Sequence, residues 1–196
     1  MRAQRTYPAA ILASVLLLTA CQAPQEPQVD TRALPATAAP PFVCDYIPLE
    51  AVRLMTGIQD PLVKGDFDLT AGQEVDGKTY ATGGCYVYRP TGDKTKVLQI
   101  SLAPADSTDE VQQEIDQGAT PLPDIVPGAT GYYGTVGDGN SGKAIAVLVT
   151  QRDELLVDLI HGVKGRDNAA DTAALMKLIA PKLLPAATAS AGESKD

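Results

Sequence analysis

The segment Gly137-Asp138-Gly139-Asn140-Ser141-Gly142-Lys143-Ala144 has the spacing of a nucleotide-binding P-loop, in which backbone amides and a lysine hold phosphate groups. Ala144 stands where a serine or threonine would hold magnesium, and the residues after it are typical of a strand. A P-loop needs a helix there, because the helix N-terminus binds the phosphate. A hairpin turn is therefore predicted, since Gly, Asn and Asp tolerate left-handed backbone angles. A calcium loop is the weaker alternative, because glutamate is missing from its twelfth position.

The other polar residues form no recognised catalytic set. Ser141 lacks the G-x-S-x-G sequence of a nucleophilic serine, and the only histidine, His161, has no metal-binding motif around it. The acidic residues of segment 106–116 are interpreted as the solvated face of a surface helix. They are Asp106, Asp109, Glu110, Glu114 and Asp116. A carboxylate pair for glycoside hydrolysis needs no fixed spacing, so that alternative stays open.

Two groups of tyrosines are the best candidates for a ligand patch. Tyr80, Tyr86 and Tyr88 have the even spacing of residues on one strand face, and Tyr132 and Tyr133 follow a loop rich in proline and glycine. Tyrosine suits interfaces because its ring is apolar and its hydroxyl is polar. We hypothesise a tyrosine-lined patch, with ordinary packing within a sheet as the alternative.

The N-terminus has the pattern of an export signal that ends at a lipidated cysteine. Two arginines precede an apolar run from Ala9 to Ala20, which is shorter than the roughly 20 residues that a bilayer-spanning helix needs. The residues Leu18-Thr19-Ala20-Cys21 resemble the bacterial lipobox, whose cysteine is joined to diacylglycerol after the signal is cut. We predict that residues 1–20 are a signal peptide and that Cys21 carries two acyl chains, which suffice for stable membrane attachment.

The rest of the chain divides into a tether, a body and a tail. Residues 21–41 are rich in proline and alanine without any periodicity, which predicts an extended tether. Residues 185–196 have no large apolar side chain and are predicted to be disordered. The body from 42 to 184 has 184 − 41 = 143 residues, the size of one domain.

The charge balance excludes one class of partner. The chain has 16 Lys+Arg and 24 Asp+Glu, and removal of the two arginines of the signal peptide changes the formal charge from −8 to 14 − 24 = −10. Binding to duplex nucleic acid needs clustered lysine and arginine, so it is not expected. Nor is such a body drawn to an anionic lipid surface.

Cys44 and Cys85 remain once Cys21 is assigned to the lipid. In an oxidising compartment outside the cytoplasm, a disulfide between them is expected. Two isolated cysteines without Cys-x-x-Cys spacing, and with one distant histidine, make a poor zinc or redox site.

The apolar pattern of the body predicts an α+β fold, a single domain with one antiparallel sheet and helices packed on one face. Alternating apolar residues and turn signals mark strands, and capping residues mark helix ends. The predicted strands are 79–89, 95–103, 143–150 and 155–161. The predicted helices are 48–57, 107–117 and 167–180, the last ending or kinking at Pro181. Residues 119–134 are predicted to form an ordered loop.

These features occur together in a known family. A lipobox and a Pro/Ala-rich tether come first, Cys44-Asp45 leads into a short helix that ends at Gly57, and the second cysteine lies in Cys85-Tyr86-Val87-Tyr88. In this order they resemble the actinobacterial lipoproteins of the domain-of-unknown-function 3558 family. The resemblance implies a cell-surface lipoprotein and no assigned chemistry.

From the sequence we expect a lipoprotein anchored to the extracytoplasmic face of the bacterial cell membrane. The anchor, the tether and the missing catalytic set favour a non-enzymatic module that binds a protein or small molecule. A sensor or accessory subunit of a membrane complex is the first alternative, and an envelope hydrolase is the second. Neither a cofactor nor a metal is expected.

Overall fold

The computed structural model describes residues 29–70, 74–75, 78–105, 107–137 and 141–184. The predicted signal peptide, Cys21 and the predicted tail lie outside the described residues. The helices are α1 (Leu49–Thr56), α2 (Asp109–Asp116) and α3 (Asn168–Leu183). The strands are β1 (Phe42–Val43), β2 (Ile47–Pro48), β3 (Leu62–Lys64), β4 (Phe67–Asp68), β5 (Glu74–Val75), β6 (Lys78–Thr79), β7 (Thr82–Tyr88), β8 (Lys96–Pro104), β9 (Thr120–Pro121), β10 (Thr130–Thr135), β11 (Ala144–Val149) and β12 (Asp153–Leu159).

Eight strands form the main sheet, in the order β3-β7-β8-β12-β11-β10-β9 with β4 beside β7. All its pairings are antiparallel. The hairpins β7–β8 and β11–β12 lie side by side because β8 pairs with β12. The prediction of an α+β fold with an antiparallel sheet is confirmed.

Alternating apolar side chains of the central strands are buried on the first face of the sheet. They are Leu98, Ile100 and Leu102 on β8, Ala144, Ala146 and Leu148 on β11, and Leu155, Val157 and Leu159 on β12. Helix α3 packs on this face through Leu175, Met176 and Ile179, and α1 contributes Val52 and Met55 to the same core. The period-2 pattern of the strands and the helical pattern of α3 thus produce one continuous core.

Helix α2 packs on the second face of the sheet, whereas the sequence predicts all helices on one side. Val111 of α2 lies in a separate cluster with Val147 and Val149, and Ile115 packs against it. These two β11 residues alternate with the residues that face α3. Helices thus pack on both faces of β11, which agrees with its continuous run of apolar residues.

The disulfide between Cys44 and Cys85 is present, and its Cα atoms are 5.9 Å apart. It joins the segment before α1 to the centre of β7, where Cys85 is fully buried. The predicted covalent link between the first helix region and the tyrosine-rich strand is confirmed.

Residues 30–34, which the sequence assigns to the tether, pack on the body; we call them the strap. Leu34 is only 8% exposed and lies in the main core. The Arg166 guanidinium donates to the carbonyl oxygens of Asp30 and Arg32. The packed body therefore begins near residue 30 rather than at 42. The sequence pattern gives no sign of this contact, because one isolated leucine and two backbone carbonyls have no periodicity.

Candidate functional site

The second face of the sheet carries a band of polar and aromatic side chains beside the area that α2 covers. Tyr86 and Tyr88 lie on this face because Cys85 and Val87, which alternate with them, are buried in the core. The antiparallel register sets Tyr86 opposite Lys64 of β3 and Gln99 of β8. Gln99 in turn lies opposite Asp158 of β12. We call the surface formed by Lys64, Tyr86, Tyr88, Lys96, Gln99 and Asp158 the lysine–tyrosine face.

Gly84 leaves the space that the ring of Tyr86 occupies. A Cβ atom at Gly84 would lie 2.7 Å from the Tyr86 hydroxyl oxygen and 2.9 Å from its Cζ atom, so the ring lies back over Gly84. Gly65 borders the same ring, since a Cβ there would lie 3.2 Å from its Cδ2 atom. The bare backbone at Gly84 thus accommodates the aromatic ring and fixes it against the sheet.

Two lysines lie over the tyrosine rings. Lys96 Nζ is 5.5 Å from the centroid of the Tyr86 ring, and Lys64 Nζ is 5.7 Å from the centroid of the Tyr88 ring. Lys96 also donates a hydrogen bond to Gln99 Oε1. A cation over an aromatic face gains about 0.5–1 kcal/mol at exposed sites. The contact with the ring therefore holds each lysine in one region above the sheet. Because a tyrosine ring has no net charge, it does not neutralise the positive charge of the lysine.

Asp158 is the carboxylate of this face, and it is half-buried. Burial raises its pKa above the ordinary value, while the positive charges of Lys96 and Lys143 act to lower it. Lys143 directly precedes β11 and alternates with the core residue Ala144. Because the charge of Lys143 acts to lower the pKa of Asp158, Lys143 lies on the second face of the sheet.

The structure brings together two of the five tyrosines of the predicted patch. Tyr132 lies on the second face but near α2, where burial first and then Glu114, Glu154 and Glu110 raise its pKa. Tyr133 packs against the main core on the first face. Tyr80 lies outside the lysine–tyrosine face, with the Arg152 guanidinium 5.8 Å from its ring centroid. The patch is thus smaller than the sequence suggests, and lysines take part in it.

The segment that resembles a P-loop connects β10 to β11. Residues 138–140 lie outside the described residues, and Gly137 and Gly142 on either side have φ values of 79° and 71°. A strand follows Lys143, not a helix, so no helix N-terminus is available for phosphate. The residues on both sides belong to antiparallel strands, with Thr135 opposite Ala144, and this confirms that the segment connects two paired strands.

The other sequence candidates do not converge. The backbone amide of His161 donates to Val97, and its side chain is half-buried at the end of β12. No group of three His, Cys, Asp or Glu side chains in the described part of the chain is arranged to hold a metal ion. Within those same residues, no helix has the length and apolar character needed to cross a membrane.

A cleft of about 530 Å³ lies between the strap and α1, the helix whose Val52 and Met55 belong to the main core. Its two arginines are already paired, Arg32 with Asp30 and Glu50, and Arg53 with Asp60. The guanidinium groups thus have acidic neighbours of their own. This cleft offers less uncompensated charge to a ligand than the lysine–tyrosine face.

Comparison with protein-family models, with curated proteins and with solved structures finds no match to this chain.

Sequence reasoning found Tyr86 and Tyr88 but missed Lys64, Lys96 and Asp158. The alternation in residues 95–103 already directs Gln99 away from the core, which is the one available signal. The pairing of β3 with β7 and of β12 with β8 places the other residues, and it depends on the tertiary arrangement of segments far apart in the chain.

Proposed function

We propose that the protein is a lipid-anchored binding module on the extracytoplasmic face of the bacterial membrane, and that its ligand contacts the lysine–tyrosine face. The observation that carries the proposal is the pair of lysines held over tyrosine rings on a sheet face. Side chains that are already ordered lose less conformational entropy on binding, which favours a recognition surface. The anchor at Cys21 and the resemblance to the domain-of-unknown-function 3558 family stay predictions from the sequence.

The chemistry of the face suits binding better than hydrolysis. Asp158 has Gln99 and Ile145 as its cross-strand neighbours, so no second carboxylate lies directly beside it in the register. Glycoside hydrolysis uses two carboxyl groups facing each other across the scissile bond. We therefore propose a non-enzymatic role for this surface.

The anchor is tested by Cys21→Ser. We expect the variant to be lost from sedimented membranes, because its thiol can no longer be joined to the acyl chains. Thr19→Ser keeps a small residue two positions before the cysteine and is expected to leave membrane retention unchanged. Blocked removal of the signal peptide is the other expected result, so a Cys21→Ser variant that is cut and still stays in the membrane fraction like the wild type would contradict the anchor.

The binding surface is tested by co-sedimentation of the detergent-extracted full-length protein with isolated cell envelopes. We expect Tyr86→Ala to lower the retained fraction several-fold, since it removes the ring that carries Lys96. Tyr86→Phe keeps the ring and should retain most binding. Tyr80→Ala changes a tyrosine outside the face and serves as the matched control; an equal loss in this control would count against the assigned surface.

A further inference from the structure

The positive charges of the second sheet face are concentrated at one end. Lys64 lies on β3, Lys96 begins β8, and Lys143 directly precedes β11. The β7–β8 connection at the same end adds Arg89 and Lys94, with Asp93 as its acid. Asp158 is the acidic group among the three lysines. This end is thus basic although the chain as a whole carries a formal charge of −8.

The opposite end of the same face is acidic. Glu110 and Glu114 of α2, together with Glu154 of β12, raise the pKa of Tyr132 there. A polyanion that crossed the whole face would meet these carboxylates. The ligand must therefore lie across the strands at the basic end.

The lysines at the basic end differ from the arginines elsewhere. Arg32, Arg53 and Arg166 all form ion pairs. Among the residues that the structure describes, Lys64, Lys96 and Lys143 have no carboxylate within ion-pair distance. Because Lys64 and Lys96 lie over tyrosine rings, their charges are ordered and still available to an anion.

The spacing of these lysines indicates the kind of anion. Two strand intervals separate β3 from β8, and two more separate β8 from β11. Neighbouring strands lie about 4.8 Å apart, so each successive pair of lysines is roughly 10 Å apart across the strands. Lys64 lies opposite Tyr86 and Lys96 opposite Tyr88, and this offset along the strands increases the backbone separation of Lys64 and Lys96 to about 12 Å. An extended peptide repeats its side chains on one face about every 7 Å, which does not match. A linear glycan with an acidic sugar at every second position has a longer repeat and matches better.

We propose that the basic end of the lysine–tyrosine face binds a linear acidic glycan, with successive acidic groups on Lys64, Lys96 and Lys143. Gln99 and the tyrosine hydroxyls provide hydrogen-bonding groups for sugar hydroxyls between these charges. This inference rests on the proposed function, because it names the ligand class of the same surface. An anionic membrane is a different polyanion with which these lysines can pair, and phosphatidylglycerol vesicles test it separately.

The probe is hyaluronate, a linear glycan with one carboxylate in each disaccharide, and the protein is the full-length chain in detergent. We expect Lys64→Met, Lys96→Met and Lys143→Met each to weaken binding about 3- to 10-fold, and added salt to weaken it further. Lys177→Met is the matched control, because this exposed lysine lies on α3 beyond the first face. Neutral dextran should not bind.

Several results would overturn the glycan assignment. They are equal binding of neutral dextran, tighter binding of poly-L-glutamate, binding only to phosphatidylglycerol vesicles, and an equal effect of Lys177→Met. Envelope retention that depends on Tyr86 without any hyaluronate binding would overturn this inference and leave the proposed function standing. If hyaluronate binding depends on the lysines but envelope retention does not depend on Tyr86, the result would instead count against the envelope role alone.

Discussion

Asp158 is a half-buried carboxyl group on which its surroundings act in opposite directions. Burial raises its pKa, while Lys96 and Lys143 lower it, and burial is the larger effect. The folded state therefore binds the proton more tightly than the unfolded chain does. A carboxyl group with a raised pKa stabilises the fold most at low pH, and this contribution is lost as the pH rises through the folded-state pKa.

Asp158→Asn removes this dependence. We expect the free energy of unfolding of the variant, relative to the wild type, to be higher at about pH 7 than at about pH 3. Urea unfolding of both proteins at the two pH values measures the difference. A variant that is relatively less stable at the higher pH would show that the lysines, and not burial, dominate the pKa of Asp158.

Gly84 is predicted to matter through Tyr86. An alanine Cβ would lie 2.7 Å from the Tyr86 hydroxyl oxygen and 3.2 Å from the Ile100 carbonyl oxygen, so the ring must move. We expect Gly84→Ala to cost about 1–3 kcal/mol of stability and to reduce envelope retention.

The Tyr86→Ala background supplies the control for Gly84. Without the ring, the two closest contacts of the new methyl group are gone and only the 3.2 Å approach to the Ile100 carbonyl oxygen remains. The two changes should therefore be non-additive, with the double variant more stable than the sum of the single losses. Additive losses by urea unfolding would mean that the ring does not occupy the space over Gly84.

At the scale of elements, Arg166 ties the strap to the start of α3. Its side chain is 3% exposed, and Arg166 Nε and Nη2 donate to the two carboxylate oxygens of Asp171 at 2.7 and 2.8 Å. The same guanidinium donates to carbonyl oxygens of the strap. One buried side chain thus holds two segments that are far apart in sequence.

Removal of Arg166 is expected to be far more costly than removal of Arg32. Arg166→Ala leaves the buried carboxylate of Asp171 without its cation, which costs about 3–5 kcal/mol. Arg32 is 70% exposed, so Arg32→Ala should cost less than about 1 kcal/mol despite its two ion pairs. Chemical denaturation compares the two variants, and similar losses would show that the buried pair of Arg166 and Asp171 is not formed in solution.

The elements that the sequence predicts well are those whose pattern follows from one-sided or two-sided burial. Alternation identifies β8, and a continuous apolar run identifies β11. Helix α3 runs to Leu183, past the predicted stop at Pro181, although the proline has no amide hydrogen to donate to residue 177; burial of Leu183 in the main core favours the extra turn. Residues 120–121 and 130–135 form β9 and β10 within the predicted loop, since pairing with β11 extends the sheet despite their glycines and prolines.

The candidate site was less predictable than the fold. Even spacing assigns Tyr86 and Tyr88 to one face, which the structure confirms. Lys64 and Asp158 join them only through the cross-strand register, which depends on contacts among segments far apart in the chain. A charge partner set by register leaves no local pattern, so single-sequence reasoning cannot find it.

At the scale of the whole molecule, the strap lies on the side of the sheet that α1 and α3 cover, at the end of the sheet where Lys96 and Lys143 lie. The backbone of the segment 161–163 bonds to Val97 beside Lys96, to Gly142 beside Lys143, and to Met55 of α1. Arg166, which holds the strap, follows directly. On the proposed anchor, Asp30 is 30 − 21 = 9 positions after Cys21, and a fully extended chain of this length spans at most about 30 Å.

The disulfide joins the layer of α1 to the sheet and closes a loop of 41 residues. A loop of this size contributes about 4 kcal/mol through the entropy of the unfolded chain. We therefore expect Cys44→Ala with Cys85→Ala to lower the free energy of unfolding by about this amount, and to lower envelope retention because Cys85 directly precedes Tyr86. Thermal and urea unfolding with and without reductant measure the effect. Reductant should destabilise the wild type to the level of the double variant and leave the double variant unchanged; a wild type that does not respond to reductant under denaturing conditions would show that the two thiols are not joined.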